Sequence, residues 1–224
     1  MAVIKYPGST CELDTLKPLK EVGINGEIVD YRAFDPDKYS ALILPGGFTY
    51  GDYLRAGAIA ARNSRGIKEF YIQGKPIIGI CNGFQILTEM GLLKGTLTIN
   101  STGKFISKWL YIKVRRFDTP LTYKISKDII HIPIAHSYGR FYEEDLNERL
   151  ITFTYCSKEG IEGPEHNPNG SIVNVAGISS EEGNVIGLMP HPERASIRMI
   201  SPSGEADGLL MFNSLKKYIE ERVK

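Results

Sequence analysis

Short apolar runs separated by helical patterns occupy the first half of the chain. The apolar runs predict four strands, Ala2–Tyr6, Glu27–Tyr31, Ala41–Leu44 and Ile77–Ile80. Helical periodicity covers the stretches Tyr53–Arg62, Ser64–Ile72 and Gly83–Met90. Because buried strands that alternate with helices pair side by side through right-handed crossovers, this half of the chain predicts a parallel sheet flanked by helices.

A further helix is predicted between the first two strands, from a cap at Ser9 through Leu19. Glu12 stands three residues after Ser9, which is the spacing of a capping box. Pro18, near the end of this pattern, has no amide hydrogen to donate to the preceding turn. We therefore expect Pro18 to shorten or kink the helix.

From Gly95 onward the pattern changes to strands alone, followed by one closing helix. The predicted strands are Thr96–Ile99, Lys108–Arg115, Ile129–Ala135, Leu150–Tyr155, Ile172–Ile178 and Val185–Met189, with a turn at Glu181–Asn184 before the last. The closing helix, Ala206–Val223, carries an apolar stripe. The chain is thus predicted to form a single α/β domain over residues 1–224, with a mostly parallel central sheet flanked by helices and additional antiparallel strands in its second half.

Composition and charge narrow the functional classes. With 27 basic and 26 acidic side chains, the formal net charge of +1 gives no sustained positive field to attract nucleic acid or an anionic membrane. The N-terminal apolar run is too short for a signal peptide, and no apolar window approaches the length of a membrane span. No Walker-type loop or dinucleotide-binding glycine motif is present, which predicts that this chain holds no ATP or NAD of its own.

Three cysteines, Cys11, Cys81 and Cys156, show neither paired spacing nor the spacing of metal ligands. We therefore expect no disulfide framework and no metal site, and we place the protein in a reducing cytoplasm. Cys11 and Cys156 stand in no motif of their own, and Cys11 is interpreted as a small packed residue after the first strand.

Cys81 is the strongest candidate for a reactive side chain. It stands in Gly79-Ile80-Cys81-Asn82-Gly83, between a predicted strand and a predicted helix. A sharp strand–turn–helix crowds its central residue and requires small flanking residues, which is the logic of a nucleophile elbow. The helix N-terminus would favour the thiolate, and the Asn82 amide would point to a developing oxyanion. By itself the segment fits a buried structural cysteine between two turn glycines equally well.

His191 is the candidate base, because it follows the last predicted strand in Met189-Pro190-His191-Pro192-Glu193-Arg194. Pro192 biases His191 toward an extended backbone, so that His191 and Glu193 project to the same side. Glu193 can then fix the tautomer of His191, while His191 takes a thiol proton and later gives it to a leaving amine. The alternative is a surface loop in which Glu193 pairs with Arg194. An isolated His-Pro-Glu sequence favours this alternative, whereas the presence of a cysteine elbow in the same chain makes it much less favoured.

A third element is Leu44-Pro45-Gly46-Gly47-Phe48, where a strand ends in paired glycines. Consecutive amides at such a turn form a nest suited to an anion and can supply a second oxyanion donor, although an ordinary turn is the alternative. Gln85, one turn into the elbow helix, faces the region of Cys81. It can bind a polar substrate, although such a residue is more often merely solvated.

Together these segments resemble the class I, triad-type glutamine amidotransferases, which have a flavodoxin-like α/β fold. The resemblance extends over nearly the whole chain and is also carried by Tyr6-Pro7-Gly8-Ser9 and Pro133-Ile134-Ala135-His136. The segment Gly46-Gly47-Phe48-Thr49-Tyr50-Gly51-Asp52-Tyr53-Leu54-Arg55-Ala56-Gly57 is similar to the family of glutaminase subunits of phosphoribosylformylglycinamidine synthase, in purine biosynthesis. It separates that family from amidotransferases that serve GMP, CTP or tryptophan synthesis.

The resemblance implies a role for each motif. The implied triad is Cys81 as nucleophile with His191 and Glu193, and the implied oxyanion hole is Gly47 or Phe48 together with Asn82. The implied glutamine-binding residues are Gly46, Gln85 and His136. After His136 the chain departs from the family pattern, because Ser137-Tyr138-Gly139-Arg140 stands where small and acidic residues usually precede a glycine. In the family this loop is expected to hold the amino-acid end of glutamine or to touch the synthetase, and no role is carried over to Tyr138.

The resemblance also implies a substrate and partners. L-Glutamine would be hydrolysed through a thioester to glutamate and ammonia. The ammonia would pass to a large synthetase subunit that uses ATP and magnesium to convert formylglycinamide ribonucleotide to its amidine, with a small accessory subunit in the complex. Two alternatives stay open. A free-standing γ-glutamyl hydrolase or cysteine peptidase would leave Phe48–Ala58 unexplained, and a non-catalytic synthetase-binding module would have no use for the Cys-His-Glu set.

Overall fold

Alternating strands and helices build the first half of the computed structural model, which describes residues 1–223. The strands are β1 Ala2–Lys5, β2 Glu27–Asp30, β3 Leu42–Leu44, β4 Ile77–Ile80, β5 Thr96–Thr98, β6 Ile106–Val114, β7 Ile129–His136, β8 Arg140–Tyr142, β9 Ile151–Cys156, β10 Val175–Ser179 and β11 Val185–Leu188. The helices are α1 Glu12–Glu21, α2 Ala58–Asn63, α3 Ile67–Ile72, α4 Asn82–Glu89 and α5 Asp207–Arg222.

One nine-stranded sheet, in the order β2-β1-β3-β4-β11-β10-β9-β6-β7, carries the fold, while β5 and β8 pair separately. The neighbours from β2 to β11 are parallel, and those from β11 to β7 are antiparallel. The α/β class, the parallel central sheet and the added antiparallel strands of the second half are therefore confirmed.

Strand β4 lies inside the parallel part, between β3 and β11, and all four of its residues are buried. Its sequence, Ile-Ile-Gly-Ile, has no polar position because both faces of the sheet are covered. It pairs with β3 on one side and with β11 on the other, where Ile80 lies opposite Leu188. The carboxyl ends of β3, β4 and β11 consequently lie side by side, although β11 comes from the far end of the sequence.

The start of α1 differs from the prediction. The helix begins after Cys11, which makes no side-chain capping bond, and the capping box of Ser9 and Glu12 does not form. The hydroxyl of Ser9 instead accepts a hydrogen bond from the Tyr6 amide at 3.0 Å. Pro18 does not shorten the helix, which continues to Glu21, and Pro18 itself is buried.

The predicted helix Tyr53–Arg62 is wrong over its first part. Thr49–Asp52 forms a short 3-10 turn, irregular backbone follows, and α2 begins only at Ala58. Leu54 has a φ of 71° and Gly57 a φ of 81°, both incompatible with a right-handed helix. Tertiary hydrogen bonds override helical propensity here, since the amide of Tyr50 donates to Pro7 O at 2.8 Å.

The remaining elements agree with the prediction within about two residues, apart from three differences. Helix α3 starts at Ile67 rather than Ser64, Ile172–Asn174 forms a 3-10 turn ahead of β10, and strand β8 was not predicted. The closing helix and the turn at Glu181–Asn184 are confirmed, the latter by a 2.9 Å bond from the Ser180 amide to Val185 O. Within residues 1–223, no helix combines the length and apolar character needed to cross a membrane.

Candidate active site

Three sequence motifs meet at the carboxyl edge of the parallel sheet. Gly46 and Gly47 follow β3, Cys81 follows β4, and His191 and Glu193 follow β11. In open α/β sheets this edge is where ligands bind. The ladder between β4 and β11 explains why motifs more than a hundred residues apart become neighbours.

Cys81 sits in a strained turn between β4 and α4, with φ 51° and ψ −104°. A β-carbon added to Gly83 would lie 1.9 Å from the carbonyl oxygen of Leu44, and one added to Gly79 would lie 2.6 Å from Leu87 Cδ1. Only glycine fits at either position, as the nucleophile elbow requires. The Cys81 amide donates to Leu188 O at 2.7 Å, which fixes the turn to β11.

His191 and Glu193 form a buried pair, because Nδ1 of His191 lies 2.6 Å from Oε1 of Glu193 and both residues are at most 2% exposed. The His191 amide donates to Pro133 O at 2.9 Å, which anchors the pair to β7. Burial alone would lower the pKa of His191, but the Glu193 carboxylate and the Cys81 sulfur outweigh it and raise the pKa well above the usual value. With Nδ1 committed to Glu193, Nε2 is the ring atom left to exchange a proton.

The three backbone amides that are candidates for the oxyanion hole differ in their hydrogen bonds. The amide of Phe48 donates to Gly8 O at 2.9 Å and is therefore occupied. Within residues 1–223 the amide of Gly47 makes no backbone hydrogen bond, and that of Asn82, as the first residue of α4, has no intrahelical acceptor. Of the candidates for an oxyanion hole, Gly47 and Asn82 therefore have free donors.

The side chains of Asn82 and Gln85 tie three segments together. Asn82 Oδ1 accepts from the Thr49 amide at 3.0 Å, and Asn82 Nδ2 donates to Gln85 Oε1 at 2.7 Å. Gln85 Nε2 donates to Tyr138 O at 2.7 Å. Gln85 is buried rather than solvated, and its amide links the elbow helix to the Ser137–Arg140 loop.

Asp52 reaches the same network through a 3.2 Å bond from Asn82 Nδ2 to its carboxylate. Burial raises the pKa of Asp52 to about 6, even though the bond from Asn82 acts in the opposite direction. A carboxyl on the irregular Thr49–Asp52 segment thus titrates beside the elbow.

His136 lies at the end of β7 and is 2% exposed. Its Nδ1 is 3.1 Å from Asn100 Oδ1, and that oxygen also accepts from the Gly139 amide at 3.1 Å. Burial, reinforced by the charge of His191, lowers the pKa of His136 to about 3, so the ring is neutral near pH 7. Since Nδ1 carries the proton toward Asn100, the buried Nε2 is an unpaired acceptor.

Sequence reasoning missed Cys11 and Arg194 as members of the site. Arg194 Nη2 donates to Cys11 Sγ at 3.3 Å, and the Cys11 sulfur, a ring nitrogen of His191 and a carboxylate oxygen of Glu193 lie within 4.8 Å of one another. Burial would raise the pKa of the Cys11 thiol, but hydrogen bonding and charge from His191 and the bond from Arg194 outweigh it and lower the pKa. No motif or spacing links Cys11 to His191, because only tertiary structure joins them.

Cys11, His191 and Glu193 also have donor atoms suited to a divalent cation. The Arg194 guanidinium on Cys11 opposes a cation there, and the Glu193 oxygen already holds His191. We therefore interpret these residues as one hydrogen-bonded network around the imidazole.

The chain belongs to the family described as CobB/CobQ-like glutamine amidotransferase domain, which matches residues 1–219. A curated relative from Saccharolobus solfataricus, phosphoribosylformylglycinamidine synthase subunit PurQ, is 51% identical over 222 residues, with 97% of this chain and 99% of the relative covered. The protein of the same name from Methanocaldococcus jannaschii is 46% identical over 227 residues, with 97% of each chain covered. A chain in the structure of PurLQS from Thermotoga maritima is 44% identical, covers 97% of both chains and superposes with a TM-score of 0.85. The family resemblance and the fold predicted from the sequence are confirmed.

Proposed function

We propose that this chain is the glutaminase subunit of a phosphoribosylformylglycinamidine synthase, with Cys81, His191 and Glu193 as its catalytic triad. The observation that carries the proposal is the buried 2.6 Å His191–Glu193 pair beside a cysteine held in a nucleophile elbow. The PurQ relatives, at 44% identity or more over nearly the full chain, support the choice of synthase.

In the mechanism that we propose, His191 carries out both proton transfers. The Cys81 thiol gives its proton to His191 Nε2, and the thiolate attacks the side-chain amide carbon of glutamine. The oxyanion that forms is bound by the amides of Gly47 and Asn82. His191 then protonates the leaving nitrogen, ammonia departs, and water hydrolyses the resulting thioester to glutamate.

Binding of glutamine is assigned to Gly46, Gln85 and His136. Neutral His136 offers Nε2 as an acceptor, which suits an N–H group of the substrate. A β-carbon on Gly46 would lie 2.9 Å from His191 Cε1, so a glycine there keeps space open beside the imidazole. Gln85 acts through the loop that it bonds at Tyr138.

Ammonia from this site would pass to a large ATP- and magnesium-dependent synthetase subunit, with a small accessory subunit completing the complex. We assign no cofactor to this chain. Its free cysteines, Cys11, Cys81 and Cys156, fit the reducing cytoplasm in which purine synthesis would take place.

The synthetase is proposed to dock over the irregular Phe48–Ala58 segment. Tyr53 and Leu54 are 72% and 78% exposed there, and Phe48 is half exposed directly beside Gly47. Large apolar side chains at the mouth of a site are typical of an interface. A partner bound there would also act on Thr49, whose amide is bonded to Asn82.

The test is glutamine hydrolysis by wild type and by Cys81→Ala, each alone and with the synthetase. Cys81→Ala is expected to lose essentially all hydrolysis, while the synthetase should still make product from added ammonia. Cys156→Ala is the matched control, because Cys156 is also buried but lies on β9, outside the site.

Full activity of Cys81→Ala would overturn the proposed mechanism. Rapid hydrolysis of γ-linked peptides without a partner would point instead to a free-standing hydrolase or peptidase. A third outcome would indicate a non-catalytic binding module. In that case the wild type hydrolyses no glutamine, and Cys81→Ala abolishes the ammonia-dependent activity of the synthetase.

A further inference from the structure

A second thiol lies behind the catalytic imidazole, on the carboxyl side of β1. Cys11 is 2% exposed, and its amide donates to Gly46 O at 3.1 Å, which ties the residue to the glycine turn after β3. A β-carbon added to Gly46 would lie 3.2 Å from Cys11 Sγ and 2.9 Å from His191 Cε1. The sulfur and the imidazole edge therefore border the same point in space.

Arg194 connects this sulfur to the carboxylate of the triad. Its Nη2 donates to Cys11 Sγ at 3.3 Å, while its Nε lies 3.9 Å from Glu193 Oε1. The second oxygen of Glu193, Oε2, is buried and has no hydrogen-bond partner among residues 1–223. A guanidinium has a planar fork that binds both oxygens of a carboxylate, so Arg194 and His191 are potential competitors for Glu193.

We propose that Cys11 is a positioning residue: by accepting the hydrogen bond of Arg194 it keeps the guanidinium from closing to a bidentate pair with Glu193, so that this carboxylate stays committed to His191. This inference rests on the triad of the proposed function. It assigns Cys11 no contact with substrate and no covalent step.

The consequence of losing this acceptor follows from the neighbours of the imidazole. The charged and titratable groups that act on His191 are Glu193, Cys81, Cys11 and His136, while the Arg194 guanidinium contacts Cys11 and Glu193. His136 is neutral near pH 7, since burial lowers its pKa to about 3. Without Cys11, Arg194 can turn to Glu193, and the charged imidazole of His191 loses part of its counter-charge.

The experiment compares Cys11→Ala, Cys11→Ser and the double variant Cys11→Ala/Arg194→Ala in complex with the synthetase. Cys11→Ala is expected to lower kcat for glutamine hydrolysis about tenfold, equivalent to about one pKa unit at the imidazole, with KM unchanged within about twofold. Cys11→Ser keeps an acceptor for Arg194 and should retain kcat within about threefold of wild type. The double variant removes the competing guanidinium and should recover at least about threefold over Cys11→Ala.

A second measurement follows alkylation of Cys81 by iodoacetamide in the full chain as a function of pH, with the modified peptide identified by mass. In Cys11→Ala the midpoint of this profile should move up by about one pH unit, and serine should restore it. A role in packing alone would not move the midpoint. If Cys11→Ala does not fold, Cys11→Val fills the space of the sulfur without an acceptor and replaces it, and Cys156→Ala remains the matched control.

Three results would overturn the inference: equal impairment of Cys11→Ser and Cys11→Ala, a double variant less active than Cys11→Ala, or an increase in KM in place of the fall in kcat. These outcomes are distinguishable from failure of the proposed function. If Cys81→Ala is inactive while Cys11→Ala behaves as wild type, only the role of Cys11 is lost. If Cys81→Ala stays active, the triad itself is wrong.

Discussion

Replacing Glu193 by glutamine separates the effect of charge from the effect of shape at the carboxylate of the proposed triad. Glu193 is 2% exposed, and its Oε1 lies 2.6 Å from Nδ1 of His191. Glutamine has the same length but can present either its oxygen or its amide nitrogen to that ring atom. If the nitrogen faces Nδ1, the ring proton moves to Nε2, and His191 can no longer accept a proton from Cys81.

The size of the loss in rate depends on whether the oxygen or the nitrogen of the new amide faces Nδ1 of His191. A hydrogen bond to a charged group contributes about 1.5–3 kcal/mol and a neutral one about 0.5–1.5, so losing the charge alone costs about 1–2 kcal/mol. That corresponds to a loss of about 5- to 30-fold in rate, and the wrong tautomer adds to it, as in serine protease triads where asparagine for aspartate costs about 10⁴-fold. We expect kcat to fall by at least about 10²-fold, with little change in KM.

The assay is glutamate release by the complex with the synthetase, measured from pH 5 to 9, together with thermal unfolding. Because Glu193 raises the pKa of His191, its loss should also move the limb of the pH–rate profile that reports His191 to lower pH. Glu165→Gln is the matched control, since Glu165 also lies beside a histidine, at 3.4 Å from His166, but is exposed. Glu193→Gln with unchanged kcat and unchanged melting would refute the assignment of Glu193 to the triad.

Three further predictions concern the surroundings of the elbow. Gly83→Ala would put its β-carbon 1.9 Å from a backbone oxygen of β3 and is expected to lower the free energy of unfolding, measured in urea, by about 3 kcal/mol or more. Gly91→Ala meets no atom of residues 1–223 within 4 Å and should lower it by about 1–2 kcal/mol. Equal losses in the two variants would contradict the packing argument. Burial raises the pKa of Asp52 to about 6, so its carboxyl contributes stability when protonated and loses that contribution as pH rises through 6. Asp52→Asn should therefore raise the free energy of unfolding by about 1–2 kcal/mol at pH 8 and by little at pH 4. An equal effect at the two pH values would count against the raised pKa. Gln85→Glu replaces the donor that bonds Tyr138 O by an acceptor and should raise KM for glutamine about tenfold, while an unchanged KM would separate that loop from substrate binding.

The sequence carried enough information to predict the parallel core and the motifs that form the candidate site. Strand β4 is apolar at every position, and the glycines around Cys81 mark the turn that follows it. His191 and Glu193 were predicted to project to one side because a proline separates them, and their bond is confirmed by the structure. These predictions depend on patterns within a few residues of one another.

Features that depend on distant contacts were not predictable in this way. The supposed helix from Tyr53 is broken because Tyr50 and Thr49 bond to Pro7 and Asn82, which are remote in sequence. The Ser9 hydroxyl does not cap α1, because it accepts the hydrogen bond of the Tyr6 amide. In the same way, the network of Cys11 with Arg194 arises only when the carboxyl ends of β1 and β11 are brought to one edge of the sheet.

The pairing of β4 with β11 also bears on biosynthesis of the protein. Residues 77–80 can complete their ladder only with residues 185–188, and the imidazole and carboxylate follow a few positions later. During synthesis on the ribosome, Cys81 is therefore made long before His191 and Glu193. If these residues act as proposed, hydrolysis of glutamine starts only after nearly the whole polypeptide has emerged from the ribosome.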